Sequence, residues 1–143
     1  MDRENIIESL ERTHRVMHEL TGKLTIEYYE KYSHHQIIAI LWLKRNGKNR
    51  LKDIAAQTKM SASSLCVMFN ELEKDSLILR EIDKNDRRNT YYSLSEYGKT
   101  TADEIMKQFR EAISKMLEPL SEDELEKVAD SFNAISEILE KYI

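Results

Sequence analysis

Hydrophobic residues recur at intervals of three and four along most of the chain, which is the spacing of one face of an α-helix. This pattern predicts one long helix over residues 4–31, which Gly22 can kink, and a second over 34–45, which Ser33 can cap. The second contains the stretch IIAILWL, which has little polar face, so it is expected to be buried on most sides. Two more helices are predicted near the C-terminal end, over 96–118 and after the capping box formed by Ser121 and Glu124.

The middle of the chain departs from this pattern. Two short helices, over 51–58 and about 62–75, are separated by only a few residues, and Ser61 can cap the second one. Helices joined so tightly form a helix-turn-helix. Residues 77–82 and 90–94 are instead rich in β-branched, aromatic and aliphatic residues on either side of a polar connection, which predicts a β-hairpin. The predicted fold class is therefore mainly α, with a small hairpin: a winged helix-turn-helix flanked by long terminal helices.

Composition excludes several classes of protein. The 143 residues include only three glycines and one proline, too few for an all-β barrel or sandwich. The single cysteine, Cys66, cannot form a disulfide within the chain. The longest apolar run, 37–43, is far shorter than the ~20 residues that span a bilayer. The first ten residues do not resemble a signal peptide, so a cytoplasmic location without membrane association is expected.

Charge is distributed unevenly along the chain. The net charge is −4, but residues 44–100 contain 12 cations and 8 anions, whereas residues 101–143 contain 5 cations and 11 anions. A local positive field can hold a polyanion even when the whole chain is acidic. No glycine-rich phosphate loop or nucleophile elbow occurs, so neither an enzymatic activity nor a cofactor is expected.

The predicted hairpin carries the most specific motif. Segment 83–98 closely resembles the wing signature of the MarR family of bacterial transcription regulators: D-x-R, three residues, an apolar residue, one residue, L-[TS], two residues and G. The positions that fill it are Asp86, Arg88, Tyr92, Leu94, Ser95 and Gly98. Segment 61–80 similarly resembles the serine-rich start and the L-E-x-x-G-L-I-x-R pattern around the family's recognition helix. The resemblance covers nearly the whole chain.

The resemblance implies that helix 62–75 enters the major groove of DNA and that the wing lies beside it. Hydroxyl groups, the amide of Asn70 and the methyl groups of Val67 can contact base edges. Arg88 is expected in the minor groove, oriented by a charge-assisted hydrogen bond that it donates to Asp86. The candidate DNA-binding residues are Ser61, Ser63, Ser64, Val67, Asn70, Lys84, Arg87, Arg88, Arg50 and Lys52. The ordinary alternative is a solvated hairpin tip and surface lysines.

Two positions depart from the family pattern. Val67 stands where the family often has a cation, and this helix has no cation before Lys74. The affinity for DNA is therefore expected to depend on the wing and on the basic run 44–59, especially Lys48, Arg50, Lys52 and Lys59. Ser76 replaces the glycine that usually follows the helix, where a positive φ is expected and serine is less favourable.

The terminal helices exceed what one winged helix needs to cover its core. The expected organisation of the single domain 1–143 is therefore a DNA-binding lobe, 34–95, with dimerisation segments 1–31 and 96–143 that bury their apolar faces in a homodimer. The resemblance also implies a cleft for a small aromatic or anionic effector. Its candidate residues are Tyr28, Tyr29, Tyr32, His34, His35 and Trp42. Ordinary core packing of these aromatic residues is the alternative.

The expected function is that of a sequence-specific transcription regulator, a repressor that binds a pseudo-palindromic operator. One alternative is a winged-helix adapter that uses its acidic C-terminal third to bind a protein. Another is a metal- or redox-responsive regulator of the same fold. His14 and His18 share a helix face but have no fixed third ligand, and Cys66 has no nearby cation in the sequence, so no metal or redox site is predicted. The sequence does not indicate the operator, the regulated genes or the effector.

Overall fold

The computed structural model describes residues 2–24 and 26–143 of the chain. It comprises two compact units, Met1–Phe109 and Arg110–Ile143. In chain order the helices and strands are α1 (Arg3–Gly22), α2 (Tyr28–Lys31), α3 (His34–Asn46), β1 (Asn49–Arg50), α4 (Leu51–Thr58), α5 (Ala62–Lys74), β2 (Ile78–Ile82), β3 (Thr90–Leu94), α6 (Glu96–Leu117), α7 (Glu122–Leu139) and a 3-10 turn (Glu140–Tyr142). The predicted fold class is confirmed.

The predicted single helix over 4–31 is wrong. Helix α1 ends at Gly22, and a separate four-residue helix, α2, follows it. The backbone N–H of Lys23 donates to the carbonyl oxygen of Leu20, which closes the last turn in the tighter i to i+3 pattern. Threonine and glycine, adjacent at Thr21-Gly22, are both poorer helix formers than the residues before them. Hydrophobic spacing alone did not show this break, because Leu20 and Leu24 continue the period across it.

Serine side chains begin three of the helices, as the sequence predicts. Ser33 and Gln36 form a reciprocal capping box at the start of α3, and Ser121 and Glu124 form another at the start of α7. At α5 the Ser61 hydroxyl accepts a hydrogen bond from a backbone N–H. Each cap satisfies a donor that a helix otherwise leaves unpaired, which contributes about 1 kcal/mol.

The sheet has three antiparallel strands in the order β1-β3-β2. Strands β2 and β3 form the predicted hairpin, with Ile78 opposite Leu94 and Ile82 opposite Thr90. Strand β1 contributes only Asn49 and Arg50, opposite Tyr92 and Tyr91 of β3. This two-residue strand was not predicted, since it is too short to show an alternating pattern.

The core lies between the helix-turn-helix and the sheet. The predicted apolar face of α5 is buried, and the rings of Phe69 and Tyr92 lie 4.7 Å apart between centroids. The buried hydrophobic residues around them are Ile37, Ile40, Leu43, Ile54, Leu65, Leu72, Leu77, Ile78, Leu94 and Ile105. The packing fixes the depth of α5 against β2 and β3, so its opposite side remains exposed.

The terminal helices α1 and α7 bury none of their described side chains. In the first unit the exposed apolar residues of α1 are Ile6, Ile7, Leu10 and Val16. In the second unit those of α7 are Leu125, Phe132, Ile135, Ile138 and Leu139. Apolar stripes of this length are rarely left in water, so each requires a partner surface. Among the described residues, no helix is long and apolar enough to cross a membrane.

Candidate nucleic-acid interface

Helix α5 presents a polar, exposed side opposite its buried face. Ser63, Val67 and Asn70 lie at intervals of four and three residues and therefore share this side. The side chain of Val67 is 62% exposed. Ser64 is also exposed beside them. The arrangement offers hydroxyls, an amide and a methyl surface to a ligand that covers α5.

Ser61 differs from the other serines because its hydroxyl already has partners. Its Oγ accepts a hydrogen bond from the backbone N–H of Ser64 at 3.1 Å and donates to Ser64 Oγ at 2.8 Å. It also lies 3.3 Å from Ser63 Oγ. Ser61 therefore holds the start of α5, and the hydroxyls of Ser63 and Ser64 lie beside it.

Hydrogen bonds between residues close together in the chain shape the tip between β2 and β3. The carboxylate of Asp83 accepts from the backbone N–H of Asn85 at 2.9 Å, and the backbone N–H of Asp83 donates to the carbonyl of Asn89 at 3.0 Å. These bonds close the loop below its exposed cationic residues. The side chains at the tip are those of Lys84, Arg87 and Arg88.

The carboxylate of Asp86 accepts three hydrogen bonds from Arg88. Arg88 donates from Nε to Oδ1 at 3.0 Å, from Nη2 to Oδ2 at 3.2 Å and from its backbone N–H to Oδ1 at 3.1 Å. The Arg88 side chain and then its backbone N–H lower the pKa of Asp86, and the positive charge of Lys52 adds to the effect. The Arg88 side chain is nevertheless 91% exposed. Its guanidinium is thus held in one direction yet remains open to solvent.

Intramolecular carboxylates neutralise half of the six cations in the basic run 44–59. Lys44 pairs with Asp103 at 3.1 Å, and Lys48 pairs with Glu81 while it lies 5.3 Å from the centre of the Tyr91 ring. Arg50 donates from Nε to Asp53 at 2.8 Å, and this bond raises the pKa of Arg50.

The other cations of the run have no ion pair within residues 2–24 and 26–143. They are Arg45, Lys52 and Lys59. The pair of Arg50 with Asp53 has helical i, i+3 spacing, which is visible in the sequence. Glu81 and Asp103 lie far along the chain from their partners, so those pairs could not be predicted from the sequence.

The six residues predicted to line one effector cleft lie in different places. Tyr28 stacks on Tyr32, with 6.3 Å between ring centres, and Tyr29 lies 6.1 Å from His34 and 6.0 Å from Phe109. The Tyr32 hydroxyl is buried and has no hydrogen-bond partner among the described residues.

The last two predicted cleft residues line separate grooves. His35 lies in a groove of about 510 Å³ against α5, and Trp42 lies in another of about 390 Å³ between α3 and α4. The His34 ring also lies 6.2 Å from that of His35, so the described contacts form two groups, Tyr28 with Tyr32 and Tyr29 with His34 and His35, and Trp42 lies apart from both. Aromatic character could not separate these positions, because it does not show which side of a helix a ring occupies.

Two histidines and the single cysteine are the residues that a metal or redox sensor of this fold would use. The rings of His14 and His18 lie 6.4 Å apart on α1. No cluster of three histidine, cysteine, aspartate or glutamate residues with metal-binding geometry occurs in the described part of the chain. Cys66 is a free, half-buried thiol on α5.

Comparison with known protein sequences places the helix-turn-helix and wing in one family. The MarR family model matches residues 33–90. The uncharacterized HTH-type transcriptional regulator YwhA of Bacillus subtilis (strain 168) is 32% identical over 80 residues, which cover 56% of this chain and 58% of YwhA. The HTH-type transcriptional repressor MdtR of the same organism is 27% identical over 94 residues, 66% of this chain and 61% of MdtR. These matches thus span about three fifths of each relative.

Solved structures share the fold over nearly the whole chain. A MarR-like transcriptional regulator from Thermotoga maritima is 28% identical, with a TM-score of 0.66 and 98% of each chain covered. The YusO protein from Bacillus subtilis is 20% identical, with a TM-score of 0.73, and covers 96% of this chain and 99% of its own. FabT of Streptococcus pneumoniae, crystallised in complex with DNA, is 16% identical, with a TM-score of 0.63 and 99% and 100% coverage. At these identities YusO and FabT show a common fold alone.

Proposed function

Since the chain belongs to the MarR family of transcription regulators, we propose that it binds double-stranded DNA as a homodimer and represses transcription from a pseudo-palindromic operator. The observation that carries this proposal is the exposed Arg88 guanidinium, which Asp86 holds in one direction at the tip of the wing. A solvated hairpin tip gains little from a fixed arginine, because surface ion pairs contribute only ~0–1 kcal/mol to stability. An arginine that must enter a narrow groove benefits from having its orientation set beforehand.

In this proposal α5 is the recognition helix. A helix of ~10 Å diameter fits the major groove, which is ~12 Å wide. Ser63, Ser64, Val67 and Asn70 lie on the exposed side of α5 and read base edges, whereas Ser61 keeps the helix start in place. The exposed Val67 is suited to a thymine methyl group, and Asn70 to an adenine edge.

The cations around the helix bind the DNA backbone. Arg88 enters the minor groove, and Lys84 and Arg87 beside it neutralise phosphates. Lys52, in the first turn of α4, lies close enough to the wing for its charge to affect Asp86. Arg50 keeps its side chain in place through Asp53 and offers its remaining N–H groups to a phosphate.

The homodimer is supported by the exposed apolar stripes of α1 and α7. A two-fold dimer presents two copies of α5, so the half-sites of the operator lie about one turn of DNA, ~34 Å, apart. MdtR is named a repressor and FabT was crystallised with DNA, which favours the same role here.

Release from DNA by a small aromatic or anionic effector belongs to the same proposal. The stacked pair of Tyr28 and Tyr32 and the adjacent contact of Tyr29 with His34 are the aromatic groups that support such a site. An effector that binds one spacing of the two recognition helices better must change DNA affinity, and DNA must change its affinity by the same factor.

The experiment is selection of bound duplexes from a random pool, followed by titration of the selected duplex across salt concentrations. Wild type should enrich a palindrome with a steep salt slope, and Arg88→Ala should lose most of the affinity. Arg110→Ala, which removes an exposed arginine of α6, is the matched control and should bind as wild type. No enrichment, or binding indifferent to Arg88, would overturn the proposal and favour the adapter alternative.

A further inference from the structure

The groove beside α5 contains a hydrogen bond that links two helices of the DNA-binding lobe. Gln36, in the first turn of α3, donates from Nε2 to the Oε2 atom of Glu71 on α5 at 3.2 Å. The same side chain belongs to the capping box of α3, since its Oε1 accepts from the backbone N–H of Ser33 at 2.9 Å. One amide therefore fixes the start of α3 and holds α5 beside it.

The chemistry of the two partners leaves this amide a single orientation. The Ser33 N–H is a donor and requires the amide oxygen, whereas the Glu71 carboxylate is an acceptor and requires the amide nitrogen. A flipped amide would place nitrogen against a donor and oxygen against a carboxylate. Gln36 is half-buried and Glu71 is exposed, so the direction of the bond comes from the two fixed partners of the amide and not from exclusion of water. The bond between α3 and α5 therefore has a defined direction.

Glu71 lies on the side of α5 that lines the groove. Two candidate base-reading residues precede it, one by a single helical turn and the other by two turns. Val67 and Ser64 precede it by four and seven residues and line the same groove. The buried face of α5 sets the depth of the helix and, because cores are closely packed, also restricts its rotation, and the bond to Glu71 adds a directional polar contact on the groove side. A rotation of about 20° would move side-chain tips ~5–6 Å from the axis by about 2 Å, which is enough to break a hydrogen bond to a base.

We propose that Gln36 is a positioning residue for DNA recognition: its hydrogen bond to Glu71 sets the rotation of α5 and thereby the directions of Ser64 and Val67. This inference rests on the proposed DNA-binding function. Gln36 itself contacts no base in this arrangement and acts through Glu71. The bond also gives a partner to the carboxylate of an anionic residue on the helix that reads DNA.

The decisive variant is Gln36→Glu. A capping box accepts glutamate as readily as glutamine, so the start of α3 is retained. In this variant a carboxylate replaces the amide donor that faces Glu71, and the two negative charges repel each other. Affinity for the selected duplex should fall about tenfold, corresponding to about 1.4 kcal/mol.

The double variant Gln36→Glu/Glu71→Gln reverses the bond and keeps the net charge of wild type. The carboxylate now stands on α3 and the amide donor on α5. Its affinity should return to within about threefold of wild type. Because the net charge is restored, an effect of Gln36→Glu that arose only from its added negative charge would also be relieved here. A double variant that stays about tenfold weaker than wild type therefore contradicts the bond, and the comparison of Glu71→Ala with Glu73→Ala separates charge from positioning.

Glu71→Ala tests the same bond without touching α3. Glu71 is exposed, so its truncation leaves the core intact. Its matched control is Glu73→Ala, which removes the same charge from α5 and only a 4.0 Å ion pair with Arg80. Loss of charge alone should tighten binding to specific and random duplexes alike in both variants. Loss of positioning should also lower the ratio of specific to random affinity, by about fivefold, in Glu71→Ala alone.

The outcomes separate this inference from the proposed function. If wild type enriches no duplex, the DNA-binding proposal itself fails. If wild type binds a selected duplex while Gln36→Glu stays within about twofold of it, or Glu71→Ala keeps the ratio of Glu73→Ala, the positioning role is overturned. If Gln36→Glu lowers the melting temperature enough to unfold the protein, the ratio measured for Glu71→Ala decides the inference.

Discussion

Gly98 lies directly against the carbonyl oxygen of Leu77, so closely that a Cβ atom at position 98 would stand 2.1 Å from that oxygen. The contact joins the first turn of α6 to the residue before β2. Ser95 completes the junction, since its hydroxyl donates to the carbonyl of Ser76 at 2.6 Å and accepts from the backbone N–H of Gly98 at 2.9 Å. The wing and α6 are thus joined at the place where the sequence motif ends.

Gly98→Ala is expected to destabilise the fold by about 3 kcal/mol, because the obstructing atom is backbone and cannot rotate away. Urea unfolding at fixed protein concentration measures the loss. Gly22→Ala is the control: nothing lies within 4 Å of its Cβ position, so the change should be neutral or slightly stabilising. Equal midpoints for the two variants would show that α6 shifts freely against Leu77.

Substitutions of Ser61, which caps α5, distinguish its contribution to stability from its contribution to DNA binding. Ser61→Ala removes the acceptor for the Ser64 N–H and should lower the free energy of unfolding by about 1 kcal/mol. Ser61→Asp retains an acceptor and should unfold within a few tenths of a kcal/mol of wild type. Its carboxylate nevertheless faces the proposed DNA surface, so its duplex affinity should fall well below that of Ser61→Ala. Titrations paired with unfolding curves test this, and an Asp variant that binds as tightly as wild type would remove Ser61 from the interface.

Much of the fold follows from local patterns in the sequence. The helix starts at Ser33, Ser61 and Ser121 could be predicted because a cap is a bond between near neighbours in the chain. The hairpin could be predicted because its strands are adjacent. At the end of α1 only a kink at Gly22 was predicted, since Leu24 kept the apolar spacing past the Thr-Gly pair, and the structure shows a full break there. Local composition and periodicity compete at such positions, and periodicity alone predicts too long a helix.

The candidate site likewise contains some contacts that could be predicted from the sequence and others that could not. The bond between Asp86 and Arg88 spans two residues and was expected from the motif. The pairing of Lys48 with Glu81 depends on the sheet that brings distant residues together, so a basic run in the sequence overstated the free positive charge. The Gln36 bond to Glu71 spans 35 residues and likewise required the structure.

Asp86 should titrate below the ordinary range of an aspartate. The hydrogen bonds from Arg88 stabilise the charged carboxylate and lower its pKa, so the wing pairing is complete above the usual aspartate pKa of about 4 and is lost as pH falls through the lower folded value. A carboxyl-carbon NMR titration of the free protein measures the midpoint. In Arg88→Gln the midpoint should rise towards the ordinary value. A midpoint unchanged by that substitution would mean that the Arg88 bonds do not persist in solution.

Lys52 and Lys48 should contribute differently to the salt dependence of DNA binding, although they lie four residues apart. Lys52 has no ion pair among the described residues and its charge reaches the wing, so Lys52→Ala should reduce the slope of log affinity against log salt by about 0.9 per subunit. The Lys48 ammonium is held by Glu81 and the Tyr91 ring, so Lys48→Ala should leave the slope nearly unchanged. Titration of one duplex at several salt concentrations compares the two variants. If Lys48→Ala lowered the slope as much as Lys52→Ala, DNA must draw the ammonium away from Glu81, and the intramolecular pair would not limit the basic surface.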